Sequence, residues 1–127
     1  MMNIKFYYCE KCDNLVEITN LQNHDIHLDK EGLKELVPNT VDAAVEKHVP
    51  YVEMNGNTVK ISIGEVIHPM TEEHYIKAIY VVTEKGTIYR KYLTPKDTPT
   101  FEIENIDSAH FDVYSYCNLH GMWKKSI

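Results

Sequence analysis

Hydrophobic and polar residues alternate along several short stretches of the chain. In the segment 58–63, aliphatic residues occupy every second position, which predicts a strand with one buried and one solvated face. This segment and the segment 51–54 flank the sequence Asn-Gly-Asn at 55–57, a composition typical of a tight hairpin turn. The pattern therefore predicts a β-hairpin over residues 51–63.

Further strands are predicted downstream. A second hairpin is expected for 75–83 and 87–93, on either side of a turn that contains Gly86. The segment 101–104 alternates between apolar and acidic residues, which predicts another strand. We expect the segment 110–117 to form the last strand of the chain.

Helical periodicity is almost absent. Residues 41–47 are a candidate for a short helix or an irregular connector, and any helix there should stop before Val49 because Pro50 follows it. About seven short strands, with turns every 8–12 residues or so, are typical of a β-sandwich. We therefore predict a mainly β protein whose main domain, residues 38–127, is an immunoglobulin-like antiparallel β-sandwich.

The first 37 residues have a different organisation. Two short strands, expected at 5–8 and 15–18, flank the sequence Cys9-Glu10-Lys11-Cys12, the form of a metal-binding knuckle. This unit of 37 residues has too little apolar content to fold alone without a metal or a partner. We place a domain boundary before Pro38, so that 1–37 and 38–127 are separate units.

Composition limits the functional classes. The 127 residues carry a net charge of −6, which argues against binding to nucleic acid. The sequence has no apolar run of the roughly 18–20 residues that a membrane span needs, and no start like a signal peptide. We therefore expect a cytoplasmic protein. In that reducing compartment a Cys-x-x-Cys pair is more often a metal or redox motif than a structural disulfide.

Five residues of the second unit are candidates for one metal site. A thiol and an imidazole lie three residues apart near the C-terminus, and three further histidines are expected at strand ends: His48, His68, His74, Cys117 and His120. His68 is expected at the end of one strand and His74 at the start of the next, where loops on a rigid scaffold commonly build sites. The set predicts a metal centre.

Other interpretations are open for these residues. Taken singly, each histidine is typical of a solvent-facing turn, and Cys117 is typical of a small buried apolar residue. A blue-copper electron carrier would use Cys117, His120 and Met122, although the spacing between the last two is too short for the usual axial loop. A non-catalytic immunoglobulin-like module would carry the histidines only incidentally.

Four short motifs together resemble those of the superoxide reductases, the family that includes desulfoferrodoxins and neelaredoxins. They stand in the order and at the approximate separations of that family: EKHVP at 46–50, HPM at 68–70, EHY at 73–75 and YCNLHG at 116–121. The resemblance extends over essentially the whole chain.

The resemblance implies a fold and an activity. The four histidines His48, His68, His74 and His120 would bind one non-haem iron in a plane, with Cys117 as its axial ligand. Superoxide would be reduced there by one electron to hydrogen peroxide. The family also implies a homodimer and an external electron donor such as rubredoxin.

Two charged residues match further family positions. Lys47 matches a lysine that draws the anionic substrate toward the metal, against the net negative charge of the protein. Glu46 matches a family glutamate that can occupy the sixth position of the oxidised iron.

The N-terminal segment departs from the family pattern. Desulfoferrodoxins hold a second, rubredoxin-like iron with four cysteines, whereas here the second pair is replaced by Leu28-Asp29. We therefore expect a degenerate desulforedoxin-like segment without that iron. Cys9 and Cys12 could instead hold zinc with His24 and His27, or share a metal between two subunits. We favour a vestigial knuckle with free thiols or a disulfide.

Overall fold

The computed structural model describes residues 3–20 and 31–127, and the chain divides into two compact units, Met1–Val37 and Pro38–Ile127. His24, His27 and Leu28-Asp29, which the predictions for the N-terminal segment involve, lie outside the described residues. Within the described ranges the one helix has four residues, far too few to span a membrane.

The described part of the N-terminal unit is a three-stranded antiparallel sheet. Its strands are β1 (Asn3–Cys9), β2 (Asn14–Asn20) and β3 (Leu33–Glu35), in the order β2-β1-β3. The first two strands lie where the sequence predicts them, and β3 was not predicted. Cys9 and Cys12 are joined by a disulfide in the turn between β1 and β2, which is one of the alternatives left open above.

The second unit contains a short helix and seven strands. These are α1 (Val45–His48), β4 (Pro50–Asn55), β5 (Thr58–Ile63), β6 (Ile76–Thr83), β7 (Ile88–Tyr92), β8 (Thr100–Ile103), β9 (Phe111–Cys117) and β10 (Gly121–Ser126). They form a four-stranded sheet, β10-β9-β6-β7, and a three-stranded sheet, β4-β5-β8. All the pairings are antiparallel, which confirms the predicted fold class.

The core of this unit is built by both sheets. Val59, Ile61 and Ile63 on β5 are almost fully buried, as their alternation predicts, and they share one cluster with residues of β6 and β9. The predicted hairpins at 51–63 and 75–93 are both present, since β4 pairs with β5 and β6 with β7. Helix α1 ends at His48, and Val49 is already extended before Pro50, as predicted.

Two predictions about strand ends are wrong. The last strand is β10 and not β9: Gly121, with φ of 76°, pairs with Cys117 and turns the chain back as a hairpin. Cys117 is therefore the last residue of β9, and His120 lies in the tight turn that leads to β10. His68 does not end a strand either, because β5 stops at Ile63 and Gly64, with φ of 85°, starts a turn.

Candidate metal centre

The structure brings together the five residues that the sequence singles out. The ligand atoms of His48, His74, Cys117 and His120 all lie within 4.8 Å of one another. His68 joins them, since its Nε2 atom is 3.2 Å from Nε2 of His48 and its ring centroid is 4.5 Å from that of His74. They come from the end of α1, the segment between β5 and β6, and the β9–β10 turn.

Backbone carbonyls orient two of the rings. Nδ1 of His48 donates to the carbonyl oxygen of Ala44 at 2.7 Å, and Nδ1 of His68 donates to that of Pro69 at 2.7 Å. A carbonyl can only accept, so in the neutral rings Nδ1 carries the proton and Nε2 presents a lone pair. Two lone pairs thus face each other across 3.2 Å, and no hydrogen bond joins them. Nδ1 of His120 lies 3.0 Å from Nε2 of His48 and can donate to it in one tautomer, whereas a cation shared by the rings would satisfy the Nε2 atoms of both His48 and His68.

His74 supports the same conclusion independently. Its Nε2 atom is buried and has no hydrogen-bond partner among the described residues. A buried polar atom without a partner costs free energy, and native proteins rarely leave one unless a ligand or ion satisfies it. The His74 ring contributes one nitrogen to the cluster with three other donor atoms. These residues fit a bound metal ion.

Burial favours the neutral form of three of the imidazoles. It lowers the pKa of His68 to about 4, and neighbouring histidines add to the effect. Burial is also the largest cause that lowers the pKa values of His48 and His74. Neutral imidazole is the form that binds metals, so these three side chains are ready to coordinate near pH 7.

The thiol of Cys117 is fully buried, and burial raises its pKa. The backbone N–H groups of Leu119 and His120 act in the opposite direction by hydrogen bonding at the sulfur, as expected for donors to a thiolate. The Sγ atom lies 3.8 Å from Nδ1 of His120. Metal binding at this site would therefore displace a proton from sulfur.

Side chains that offer no metal-ligating atom also contact the residues of the centre. The indole of Trp123 stacks on the ring of His48, with centroids 4.9 Å apart, and its Nε1 donates to the carbonyl oxygen of His120 at 3.1 Å. Ser115 Oγ donates to the carbonyl oxygen of His48 at 2.9 Å in the buried interior. Sequence reasoning did not find Ser115 or Asn118, whose contacts are described below. The alternation of β9 could have indicated Ser115, because it shares a strand face with Cys117.

Lys47 and Glu46 lie beside the cluster and are exposed. The charge of Lys47 contributes to lowering the pKa values of His48 and His74, and that of Glu46 contributes to raising the pKa of His48. Within residues 31–127, neither side chain hydrogen-bonds to the cluster. Both charges therefore act on the neighbouring histidines electrostatically. His110, which has no counterpart among the family ligands, is exposed.

The donor set discriminates between the interpretations left open by the sequence. Four imidazoles and one thiol exceed what a blue-copper site uses, two histidines and a cysteine with a weak axial ligand. A module with incidental histidines would not bring them to one point. Imidazole and thiolate together suit iron, zinc and copper.

Comparisons with known proteins narrow the choice. The sequence model of the Desulfoferrodoxin family matches residues 40–126. A desulfoferrodoxin of Clostridium acetobutylicum is 38% identical over 125 residues, which cover 98% of each chain. The solved superoxide reductase of Treponema pallidum superposes with a TM-score of 0.72 at 34% identity, covering 97% of this chain and 98% of its own. The superoxide reductase (1Fe-SOR) of Giardia intestinalis superposes with a TM-score of 0.57 at 30% identity, covering 65% of this chain and 97% of its own.

Proposed function

The chain belongs to the desulfoferrodoxin family, and we propose that it is a superoxide reductase, which reduces superoxide by one electron to hydrogen peroxide. The observation that carries this proposal is the meeting of four imidazoles and one thiol at a single point, with lone pairs facing one another. The similarity to superoxide reductases of known structure supports it.

The residues that would hold the iron are His48, His68, His74, His120 and Cys117. When bound, the iron supplies the single electron that superoxide takes up, and the electron-rich Cys117 thiolate favours its release. The chain prepares this site in advance. The carbonyl oxygens of Ala44 and Pro69 fix the Nδ1–H tautomers of His48 and His68, so that Nε2 of each ring would offer its lone pair to the metal.

Lys47 is proposed to guide the substrate. Superoxide is an anion and the chain carries a net charge of −6, so the overall field opposes its approach. Lys47 is exposed and next to His48 in the chain, and its charge acts on His48 and His74. A local positive potential at the mouth of the site would attract the anion. Glu46, its neighbour, is proposed to approach the iron when it is oxidised.

Protons complete the reaction. One superoxide, one electron and two protons give one hydrogen peroxide. His74 and His120 are partly exposed, and we propose that solvent on their side of the cluster supplies the protons. His48 and His68 are buried, and their neutral rings have no proton to give to substrate because each Nδ1–H already donates to a carbonyl.

Several finer features belong to the same proposal. Cys117 lies in the second unit, so Cys9 and Cys12 are the only cysteines of residues 1–37, and we expect no rubredoxin-like iron there. The single iron would then receive electrons from an external donor such as rubredoxin. We also expect a cytoplasmic homodimer whose first unit, residues 1–37, is a degenerate desulforedoxin-like segment and whose second unit, residues 38–127, carries the catalysis.

Product stoichiometry tests the proposed activity. Ferrous protein, kept reduced by a slow chemical donor, is mixed with a known amount of superoxide, and hydrogen peroxide and oxygen are measured. A reductase yields one peroxide for each superoxide and no oxygen. A yield of half that, with oxygen evolved, would show dismutation and contradict the proposal, and so would a rate no faster than that of the metal-free protein.

A further inference from the structure

Asn118, between Cys117 and Leu119, makes a set of hydrogen bonds to a distant segment. Its side-chain Oδ1 accepts from the backbone N–H of Tyr75 at 2.9 Å, and its Nδ2 donates to the carbonyl oxygen of Glu73 at 2.9 Å. Its own backbone N–H donates to the carbonyl oxygen of Tyr75 at 3.2 Å. Asn118 thus hydrogen-bonds to the backbone of both residues that flank His74.

The amide of Asn118 fits this position in one orientation only. Rotating it by 180° would set its NH2 group against the N–H of Tyr75 and its oxygen against the carbonyl of Glu73. Both contacts would then be repulsive. An amide with one donor side and one acceptor side is therefore what this junction requires, and neither a carboxylate nor a hydroxyl reproduces it.

His74 has a particular need for such support. The rings of His48 and His68 are each fixed by a hydrogen bond from Nδ1 to a carbonyl. The ring of His74 makes no hydrogen bond within the described ranges, and its Nε2 is buried without a partner. Its place in the cluster therefore depends on its backbone. Thr71 ties that backbone within its own loop, through contacts to the N–H and carbonyl of His74.

Only Asn118 among these groups connects the His74 loop to the β9–β10 turn. The ladder between β6 and β9 reaches the pair Ile76 and Cys117, and Asn118 continues the connection beyond that pair toward His74. Thr71 lies in the same loop as His74 and cannot set the loop's distance from Cys117.

We propose that Asn118 is a positioning residue that sets His74 relative to Cys117 and His120, and so completes the donor set. This inference rests on the metal centre proposed above. It assigns Asn118 a role exerted through His74, and not through contact with metal or substrate. The expected consequence is that Asn118 contributes to metal affinity only while the His74 imidazole is present.

The chain offers a closely matched control. The amide of Asn39 also hydrogen-bonds to a distant backbone through both its oxygen and its nitrogen. Its Oδ1 accepts from the N–H of Lys124 at 2.9 Å, and its Nδ2 donates to the carbonyl oxygen of Lys124 at 3.2 Å. Asn118→Asp and Asn39→Asp each remove one N–H donor from a backbone carbonyl. The two substitutions differ in that only Asn118 is hydrogen-bonded to the segment that carries His74.

A double-mutant cycle with cobalt(II) as the metal probe tests the proposal. Affinity is measured by competition with a chelator, and the thiolate-to-cobalt absorption band reports on the contact with Cys117. Asn118→Asp should weaken cobalt binding by about 10-fold or more, the usual effect of losing a group that orients a ligand, and should shift the band. Asn39→Asp should change the affinity by less than about 2-fold. In a His74→Ala background, the effect of Asn118→Asp should fall below about 2-fold.

Two results would overturn the inference, and they are distinguishable from failure of the metal centre. If Asn118→Asp weakens binding equally with and without His74, its role is general stability. If it leaves affinity and band unchanged, it has no role at the site. If the unsubstituted chain shows no thiolate-to-cobalt band at all, the proposed centre is wrong and this inference falls with it.

Discussion

The number of protons released when metal binds follows from the burial of the site, and it can be measured. Burial raises the pKa of the Cys117 thiol, so the metal-free protein carries its proton there at pH 7.5. Burial lowers the pKa values of His48, His68 and His74, so these rings are neutral at that pH. Binding to a thiolate should therefore release about one proton from sulfur and almost none from those three histidines.

Cys117→Ser isolates the sulfur proton, because a serine hydroxyl does not ionise in this range. At pH 7.5 the wild type should release about one proton more per metal than the variant. Because of this extra proton, the metal affinity of the wild type should rise tenfold more than that of the variant for each pH unit. This corresponds to about 1.4 kcal/mol in the free energy of metal binding. The histidines are tested by lowering the pH to 6. Three histidines with the ordinary pKa of about 6.5 would together release about two more protons there than at pH 7.5. The lowered pKa values predict a smaller increase, with almost no contribution from His68.

Isothermal calorimetry provides the assay. Cobalt(II) is titrated into metal-free protein in two buffers with different ionisation enthalpies, and the difference in heat gives the protons released. No thiol reductant is added, so that Cys9 and Cys12 stay joined and do not bind the probe. Equal release by wild type and Cys117→Ser would refute the assignment of the sulfur. An increase of two or more protons at pH 6 would refute the neutral, buried histidines.

Two further substitutions test the surroundings of the centre. Lys47→Ala should slow the reaction with superoxide by about 10-fold and weaken its dependence on ionic strength, because the local positive potential is lost. The control is Lys85→Ala, which changes the net charge equally but lies in the exposed turn between β6 and β7. The rates are measured by stopped-flow kinetics. Equal rates for the two variants would argue against guidance by Lys47. Ser115→Ala leaves the buried carbonyl of His48 without its donor and should lower the free energy of unfolding by about 1–3 kcal/mol. Urea denaturation of the metal-free protein measures this, and a loss below about 0.5 kcal/mol would mean that another group satisfies the carbonyl.

Local sequence signals predict the parts of this fold that depend on local chemistry. The hairpin at Gly56 forms because alternating residues flank a turn that favours positive φ, and Gly56 has φ of 61°. Helix α1 ends at His48 because Pro50 disfavours helical backbone at Val49. In each case the residues that decide the structure are neighbours in the sequence.

Features that depend on distant pairing were missed. Strand β3 has three residues and exists because Leu33 pairs with Cys9, far away in sequence. Strand β10 follows a short turn that is easily taken for a loop, although Met122 and Trp123 are buried as a strand requires. The strand expected to end at His68 stops earlier, because the chain leaves the sheet at Gly64, and Val66 and Ile67 are exposed.

The candidate site shows the same division. Short motifs, taken together through a family resemblance, single out the five donor residues. They do not reveal what orients the rings, since the partners of His48 and His68 are backbone carbonyls without a sequence signature. Asn118 likewise acts through the backbone of Glu73 and Tyr75, more than forty residues away in the chain. Such contacts can be assigned only when the strands are paired.

Visible spectroscopy of the iron-loaded protein tests the central claim most directly, because it reports whether Cys117 ligates the iron. The oxidised wild type should show a thiolate-to-ferric charge-transfer band that disappears on reduction. The band should be absent in Cys117→Ser, and it should be retained when Cys9 and Cys12 are both replaced by serine. A band that survives in Cys117→Ser, or one that is lost with Cys9 and Cys12, would contradict the proposed centre.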